Sequence, residues 1–373
     1  MSQYDTPEHY LAAADLKWHD NLLAECERSG VKIACSPFTP TTIMLHYSNE
    51  VQFDKKWNPF NRMCRGLILD GNEVIAHPFD KFFNLDELPE TKYEVLEKLG
   101  AFEVTEKLDG SMLTLYKERV PNQFRLTTKG SMSSDHGIYA TSIMPESLKN
   151  EEFVTKYTLM FELISSKFQI VIDYKKKGYP EGLYLIGVRH RYSNELLGSA
   201  EVEKLAKELG VFSPKTYQFS SLDSLLDNVK DLSVLEEGYV LKFADRLVKI
   251  KGSNYLAAHR FISRLSRKSI LEALGLGQAK ELITLAPEEY RVEVESEIEN
   301  FQKQRTLLVN ECYEKFNQAP KESRKDFALW VNSNVPSDLK NFMFSLLDSK
   351  PLNDKKVYDL IGVREGVSGE TKI

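Results

Sequence analysis

The side chains in this chain with types and spacing suited to chemistry fall in a few short segments. Lys107 sits in Glu106-Lys107-Leu108-Asp109-Gly110-Ser111, just after the apolar stretch that begins at Phe102. A free lysine amine has a pKa of about 10.4, so it is protonated at neutral pH and cannot attack. Cationic neighbours, a metal or desolvation can release that proton. Lys249 and Lys251 alternate with apolar Val248 and Ile250. In a strand both ammonium groups then point to one face. Facing a pocket, they would meet phosphate groups and help Lys107 lose its proton; facing water, they would form a basic strand edge.

Two carboxylates stand inside apolar runs. Glu162 lies in Leu159-Met160-Phe161-Glu162-Leu163-Ile164, and Glu237 precedes Gly238-Tyr239-Val240-Leu241. A charge in such a run is costly unless it is paired or bound to metal. Glu162 therefore suits either an ion pair with arginine or a metal site. Glu237 suits either a turn or a metal site, with Gly238 allowing a ligand to come close. Carboxylate, phosphate oxygens and water together meet the demand of magnesium for oxygen ligands.

Further cations lie beside glycines, aromatics and hydroxyls. They are Arg65 in Cys64-Arg65-Gly66, Lys81 in Asp80-Lys81-Phe82-Phe83-Asn84, and Lys129 in Thr128-Lys129-Gly130-Ser131. Such groups can clamp phosphate oxygens. No G-x-x-x-x-G-K-[ST] run occurs, so a P-loop is not the route to a nucleotide. Gly275-Leu276-Gly277 reads as a helix end.

These residues need elements to position them. Pro7 to Ala24 reads as a helix with Thr6 as N-cap. Short apolar stretches follow at 42–45, 66–69 and 74–76, and Asp70-Gly71-Asn72 predicts a hairpin turn. From 101 to 251, aromatic and β-branched runs predict strands over 102–105, 111–116, 124–128, 157–163, 169–172, 184–188, 238–243 and 247–251. Helices are expected near 146–155, 200–209 and 221–229. Beyond about residue 254 only helices are expected, over 255–274, 287–317, 321–332 and 337–347. The fold class is α+β, with antiparallel sheets flanked by helices and an all-helical C-terminal domain. The division expected is 1–254 and 255–373.

Bulk properties exclude several classes. The chain has 373 residues, 42% hydrophobic and 28% charged, enough for two to three domains with real cores. No stretch approaches the roughly 18 apolar residues of a membrane span, and no secretory signal is seen at the start. Four scattered cysteines and seven dispersed histidines give no zinc or disulfide framework, which suits a reducing cytoplasm. A net charge of −6 argues against non-specific coating of nucleic acid, though not against a local basic surface.

Taken in order, Lys107-Leu108-Asp109-Gly110, Phe161-Glu162, Glu237-Gly238-Tyr239-Val240 and Lys249-Ile250-Lys251 resemble the covalent nucleotidyltransferases: RNA ligases, DNA ligases and capping enzymes. With Arg65-Gly66, Lys81-Phe82-Phe83-Asn84 and Lys129-Gly130-Ser131 added, the set resembles the phage T4-type RNA ligase 1 family over residues from about 40 to 268. That resemblance implies an adenylyltransferase domain that uses ATP with Mg2+ or Mn2+. Lys107 becomes lysyl-AMP, the AMP passes to an RNA 5′-phosphate, and a 3′-hydroxyl then displaces it.

By the same resemblance Arg65, Lys81 and Lys249 contact the triphosphate, and Lys251 contacts the α-phosphate beside Lys107. Glu237 and Glu162 associate with metal, Glu162 alternatively with the ribose. Lys129 and Tyr47 contact the nucleotide, as do Asp109 and Gly110 of the lysine motif. The base should stack near Leu185-Ile186-Gly187-Val188-Arg189, which contains no aromatic residue. The substrate implied is single-stranded RNA with 5′-phosphate and 3′-hydroxyl ends, such as a broken tRNA. The setting is a monomer in the cytoplasm of a phage-infected host, with end healing left to a separate enzyme.

Two other readings stand beside this one. A DNA ligase or capping enzyme would carry an OB-fold after the last lysine motif, where helices are expected here. A catalytically inactive RNA-binding relative would be expected to lack at least one of the five catalytic residues. The helical domain is expected to choose the RNA, with Arg260, Arg264, Arg267 and Lys268 forming a basic stripe on one helix face.

Overall fold

The computed structural model of the chain describes residues 7, 11, 20–286 and 288–367. It divides into two compact units, Met1–Leu256 and Ala257–Ile373. The first is mixed α+β. Its strands form sheets of four, four and five strands.

The first sheet is an antiparallel meander of β1 (Val31–Cys35), β2 (Thr42–Tyr47), β3 (Arg65–Asp70) and β4 (Glu73–Ala76). The turn at Asp70-Gly71-Asn72 joins β3 to β4 as expected. Tyr47 ends β2 while Arg65 opens β3 opposite His46, so two of the expected site residues become neighbours through strand pairing.

The remaining strands are β5 (Phe83–Asn84), β6 (Glu103–Glu106), β7 (Ser111–Glu118), β8 (Gln123–Thr128), β9 (Tyr157–Ile164), β10 (Gly182–His190), β11 (Thr216–Tyr217), β12 (Gly238–Lys242) and β13 (Leu247–Lys251). The second sheet runs β10-β9-β7-β8 and the third β11-β6-β12-β13-β5. Pairing is antiparallel except between β5 and β13. β9 is buried on both faces from Thr158 onward, as its run, apolar from 159 to 164 except at Glu162, requires. β13 alternates, with Val248 and Ile250 buried and Lys249 and Lys251 half-buried on the other side.

The Lys107 motif is the crossover between these two sheets. β6 belongs to the third sheet and stops at Glu106; β7 belongs to the second and starts at Ser111. The Lys107 N–H donates to the Gly238 carbonyl at 2.9 Å, which pins the crossover to β12. The Gly110 N–H donates to Glu162 Oε1 at 3.0 Å, which pins it to β9. A Cβ on Gly110 would lie 2.4 Å from the Leu163 carbonyl oxygen, so only glycine lets the chain pass so close to β9.

Several expectations are corrected. Residues 169–172 are not a strand. The Val171 and Ile172 N–H groups donate to Asp109 Oδ2, at 2.9 and 3.0 Å, instead of joining a ladder. The helix expected over 255–274 is two helices, Ser253–Arg264 and Arg267–Gly275, because Ser266 and Ser269 form a capping box that starts a second helix. The proposed basic stripe therefore does not run along one helix face. Arg267 is also engaged, bonded to Glu297 at 2.6 Å and to Glu365 at 3.2 Å. The side chain of Arg264 lies outside the described residues. So do Thr6 and most of the helix expected from Pro7; the described helix there is Asp20–Arg28.

The second unit holds only helices among its described residues, and their apolar faces share one core that includes Phe301, Phe327 and Val331. Two of them, Ala279–Leu285 and Asp354–Arg364, were not expected from sequence. Among the described residues no helix is long and apolar enough to cross a membrane.

Gly238 was read as room for a ligand. The close approach is instead made by the neighbouring strand: a Cβ there would lie 2.0 Å from the Ile250 carbonyl oxygen, at a φ of +140°. Gly238→Ala should therefore destabilise the protein by about 3 kcal/mol or more, measured by urea denaturation. A loss below about 1 kcal/mol would show that β12 and β13 can separate at little cost.

Candidate active site

The second and third sheets both line a cavity of about 430 Å³. Lys107, Gly110, Ser111, Glu162, Lys249, Lys251, Arg65 and Lys129 are all in its wall. Glu237 is not itself in that wall, but its Oε1 bonds two amines that are, Lys107 Nζ at 2.7 Å and Lys251 Nζ at 2.8 Å. Glu237 is 3% exposed, and its Oε2 has no hydrogen-bond partner. Its backbone carbonyl accepts from Gly252 at 3.0 Å, so strands β12 and β13 fix the carboxylate from behind.

The charges here are not balanced in the cavity's own terms. Burial first, then Lys81, Lys107, Arg65 and Lys251, push the Lys249 amine down to about 7. Burial, opposed by Lys107 and reinforced by Glu237, pushes the Glu162 carboxyl up to about 8. Burial, then Arg65 and other cations, also holds the Lys81 amine below its ordinary value.

Lys81 does not line the cavity. It sits in a box of aromatic rings, its Nζ 4.9 Å from the Trp57 ring centre, 5.4 Å from Phe83 and 5.7 Å from Tyr47. Lys129 Nζ lies 5.5 Å from the Tyr47 ring. Burial would raise the Tyr47 phenol, but Arg65, Lys129 and Lys81 outweigh it and lower its pKa. Tyr47 is thus tied to the expected phosphate-binding cations without facing the cavity itself. Trp57 was missed from sequence; a lone tryptophan between two short helices gave no signal.

Asp109 does not face the cavity either. Besides the two amides of 171–172, its Oδ1 accepts from Tyr255 OH at 2.9 Å, and its own N–H donates to Tyr174 OH at 2.6 Å. Burial and Glu237 raise its pKa. Its geometry is that of an anchor for the crossover, not a nucleotide contact.

The strand expected to take the base supplies Ile186, Gly187 and Val188 to the wall. The aromatic ring comes from elsewhere. Phe79 lies so close to Gly187 that a Cβ there would stand 2.2 Å from Phe79 Cζ. Phe82 also lines the cavity, with the Arg65 guanidinium 5.2 Å and Lys249 Nζ 5.6 Å from its ring centre. Phe83 is core, at 2% exposure. Sequence could not show that Gly187 makes room for a ring from a distant loop.

The two carboxylates fit part of a metal site. Glu237 offers an unpartnered buried oxygen, and Glu162 is near enough to feel its charge. No cluster of three His, Cys, Asp or Glu side chains stands ready for a metal among the described residues. Oxygens from a phosphate ligand and water would have to complete the shell, as magnesium ordinarily accepts.

The profile of the RNA ligase family, T4 type, matches residues 63–261, more than half of the chain and all of this cavity's cationic wall. The chain belongs to the RNA ligase family. Among its relatives are a candidate bifunctional polynucleotide kinase/RNA ligase of Autographa californica nuclear polyhedrosis virus, 25% identical over 70% of this chain and 40% of that protein. A candidate RNA ligase of Thermovibrio ammonificans is 31% identical over 54% of each chain. An RNA ligase of Rhodothermus phage RM378 is 28% identical over 56% of this chain and 52% of its own. The chain thus spans about half the length of the curated relatives it matches. A solved RNA ligase of Naegleria gruberi with pyrophosphate shares 19% identity over 50% of this chain and 59% of its own, with a TM-score of 0.39.

Replacing Asp109 tests its anchoring role. Asp109→Ala would remove three hydrogen bonds from buried donors at Val171, Ile172 and Tyr255, a loss of roughly 2–3 kcal/mol. Hydrogen exchange should speed up at Val171 and Ile172 before other amides of the unit. Unchanged protection at those two amides would contradict the assignment.

Proposed function

We propose that the chain is an ATP-dependent RNA ligase that seals a 3′-hydroxyl to a 5′-phosphate through lysyl-AMP and an adenylylated RNA end. The observation that carries this reading is Lys107 at a sheet crossover, touching Glu237 beside Lys251 in a cation-rich cavity. Family membership supports it. Five expected catalytic side chains meet: Lys107 and Lys251 bind Glu237, while Glu162 and Lys249 share the wall.

Each step is a displacement at phosphorus, so the protein contributes positioning and charge neutralisation. An ammonium paired with a carboxylate has no lone pair, so attack requires Lys107 to give up a proton, which would weaken its pair with Glu237. Arg65, Lys129 and Lys249 are placed to hold phosphate oxygens, and Lys251 stays near the transferred phosphoryl group. Phe79 and Phe82 bound the space for the base. Glu162 and Glu237 would hold a divalent cation, Mg2+ or Mn2+, which when bound neutralises phosphate charge.

The broader setting belongs to the same proposal. The substrate is single-stranded RNA such as a broken tRNA, sealed by a monomer in the cytoplasm of an infected host. A phage relative named RNA ligase supports that setting. Ends are prepared by a separate enzyme, which fits a relative whose name joins a kinase to a ligase and of which this chain matches 40%. The helical unit assists in choosing the RNA.

Incubation with α-labelled ATP and Mg2+ should give a covalent adduct that survives denaturing electrophoresis and is absent in Lys107→Ala. A wild-type protein that stays unlabelled would refute the ligase reading.

Proton linkage gives a second test. Lys249 titrates near 7 without ligand, and a bound triphosphate raises that value. At pH 8, without divalent cation, ATP binding should take up a proton, and affinity should fall by up to about tenfold per pH unit above 7. Calorimetry in buffers of different ionisation enthalpy reads this uptake. Lys249→Met should remove it; equal uptake in that variant would assign the proton elsewhere.

A further inference from the structure

Next to the cavity lies a group of side chains that the sealing chemistry described above does not use. Ser111, in the cavity wall, shares a hydrogen bond of 2.6 Å with His136 Nδ1. The His136 ring lies over Phe168, with centres 4.0 Å apart and planes at 33°. Tyr139 meets Phe168 edge-on at 5.6 Å. Lys167 extends over the group, its Nζ 5.2 Å from the Phe168 ring centre and 5.4 Å from Tyr139.

Two different elements build this group. His136 and Tyr139 come from the helix Asp135–Ser142, whose N-cap Ser134 follows the loop that carries Lys129. Lys167 and Phe168 come from the short turn Ser166–Phe168 after β9, the strand that carries Glu162. Lys167 is exposed, and His136, Tyr139 and Phe168 are half-buried. Exposed Ile138, at 61%, and Ile170, at 37%, flank them. Ser166 is bonded to Glu181, which places one acid beside the turn.

Aromatic faces beside a cation are how proteins hold unpaired nucleic-acid bases, since every base offers a π-face and every linkage a negative charge. Bases within a duplex are already paired and stacked, whereas unpaired bases can splay onto aromatic side chains, which favours a single-stranded occupant. We propose that His136, Tyr139, Lys167 and Phe168 form a stacking platform for the 5′-terminal base of single-stranded RNA. The platform aims the attached 5′-phosphate past Ser111 into the cavity. This rests on the ligase reading for its biological meaning, but the binding event stands on its own.

The test is a 5′-phosphorylated single-stranded RNA carrying 2-aminopurine at its first position, titrated with the full chain without ATP. Stacking should quench the probe. Phe168→Leu keeps apolar volume against the neighbouring core and removes the ring; it should weaken binding roughly tenfold and abolish the quench. Phe168→Trp should retain both. Lys167→Gln, at an exposed position, should weaken binding and flatten its salt dependence. Lysyl-AMP formation should be unchanged in all three, whereas AMP transfer to RNA should slow in Phe168→Leu. Equal affinity and equal quench in wild type and Phe168→Leu would overturn the platform, as would quenching only with the probe at the 3′ end. Absence of lysyl-AMP in the wild type would sink the ligase reading and leave the quench result to decide the platform.

Discussion

One buried carboxylate shared by two lysines governs this protein. Glu237 has little contact with water, and a lone charge in that position would be costly. Lys107 and Lys251 supply the compensation through a single oxygen. The arrangement holds both amines in place. Around it stand several further cations, and burial, reinforced by those cations, depresses the Lys249 amine. A polyanion is the natural partner for such a cavity, and its arrival would redistribute every contact Glu237 makes.

The fold achieves this by putting chemistry where the chain changes sheets. Four residues, 107 to 110, link the third sheet to the second, and each side of the link is fixed by a hydrogen bond from its own N–H, to the Gly238 carbonyl at one end and the Glu162 carboxylate at the other. The carboxylate of Asp109 draws the 171–172 loop onto the link, and Tyr255 adds a further bond. Side chains on either flank then face one cavity. Lys107 is held by its backbone, and its side chain is left to answer to charge.

Much of this was legible in the sequence because strand alternation is a local property. Lys249 and Lys251 on one side of β13, Glu162 in a buried strand and the hairpin at Gly71 all follow from residue order. What escaped depends on contacts between distant segments. Asp109 resembled a ligand contact because its motif is reactive, yet its oxygens are taken by loop amides that no pattern announces. The 169–172 run is β-branched enough for a strand but spends its N–H groups on that acid. The 185–189 segment holds no aromatic residue, and the ring that packs on it, Phe79, comes from a distant loop. The split at Ser266 is a capping effect that overrode an otherwise continuous helical pattern.

One very short strand pairing has a wide reach. β5 is two residues long, joins β13 in parallel, and follows directly after Lys81 and Phe82. Through it, a segment from early in the chain is latched against the last strand of the unit. Loop-closure entropy over so long a separation must be met before those cations meet. A chain stopped short of β13 would lack both the partner strand of β5 and the Lys251 amine that shares Glu237.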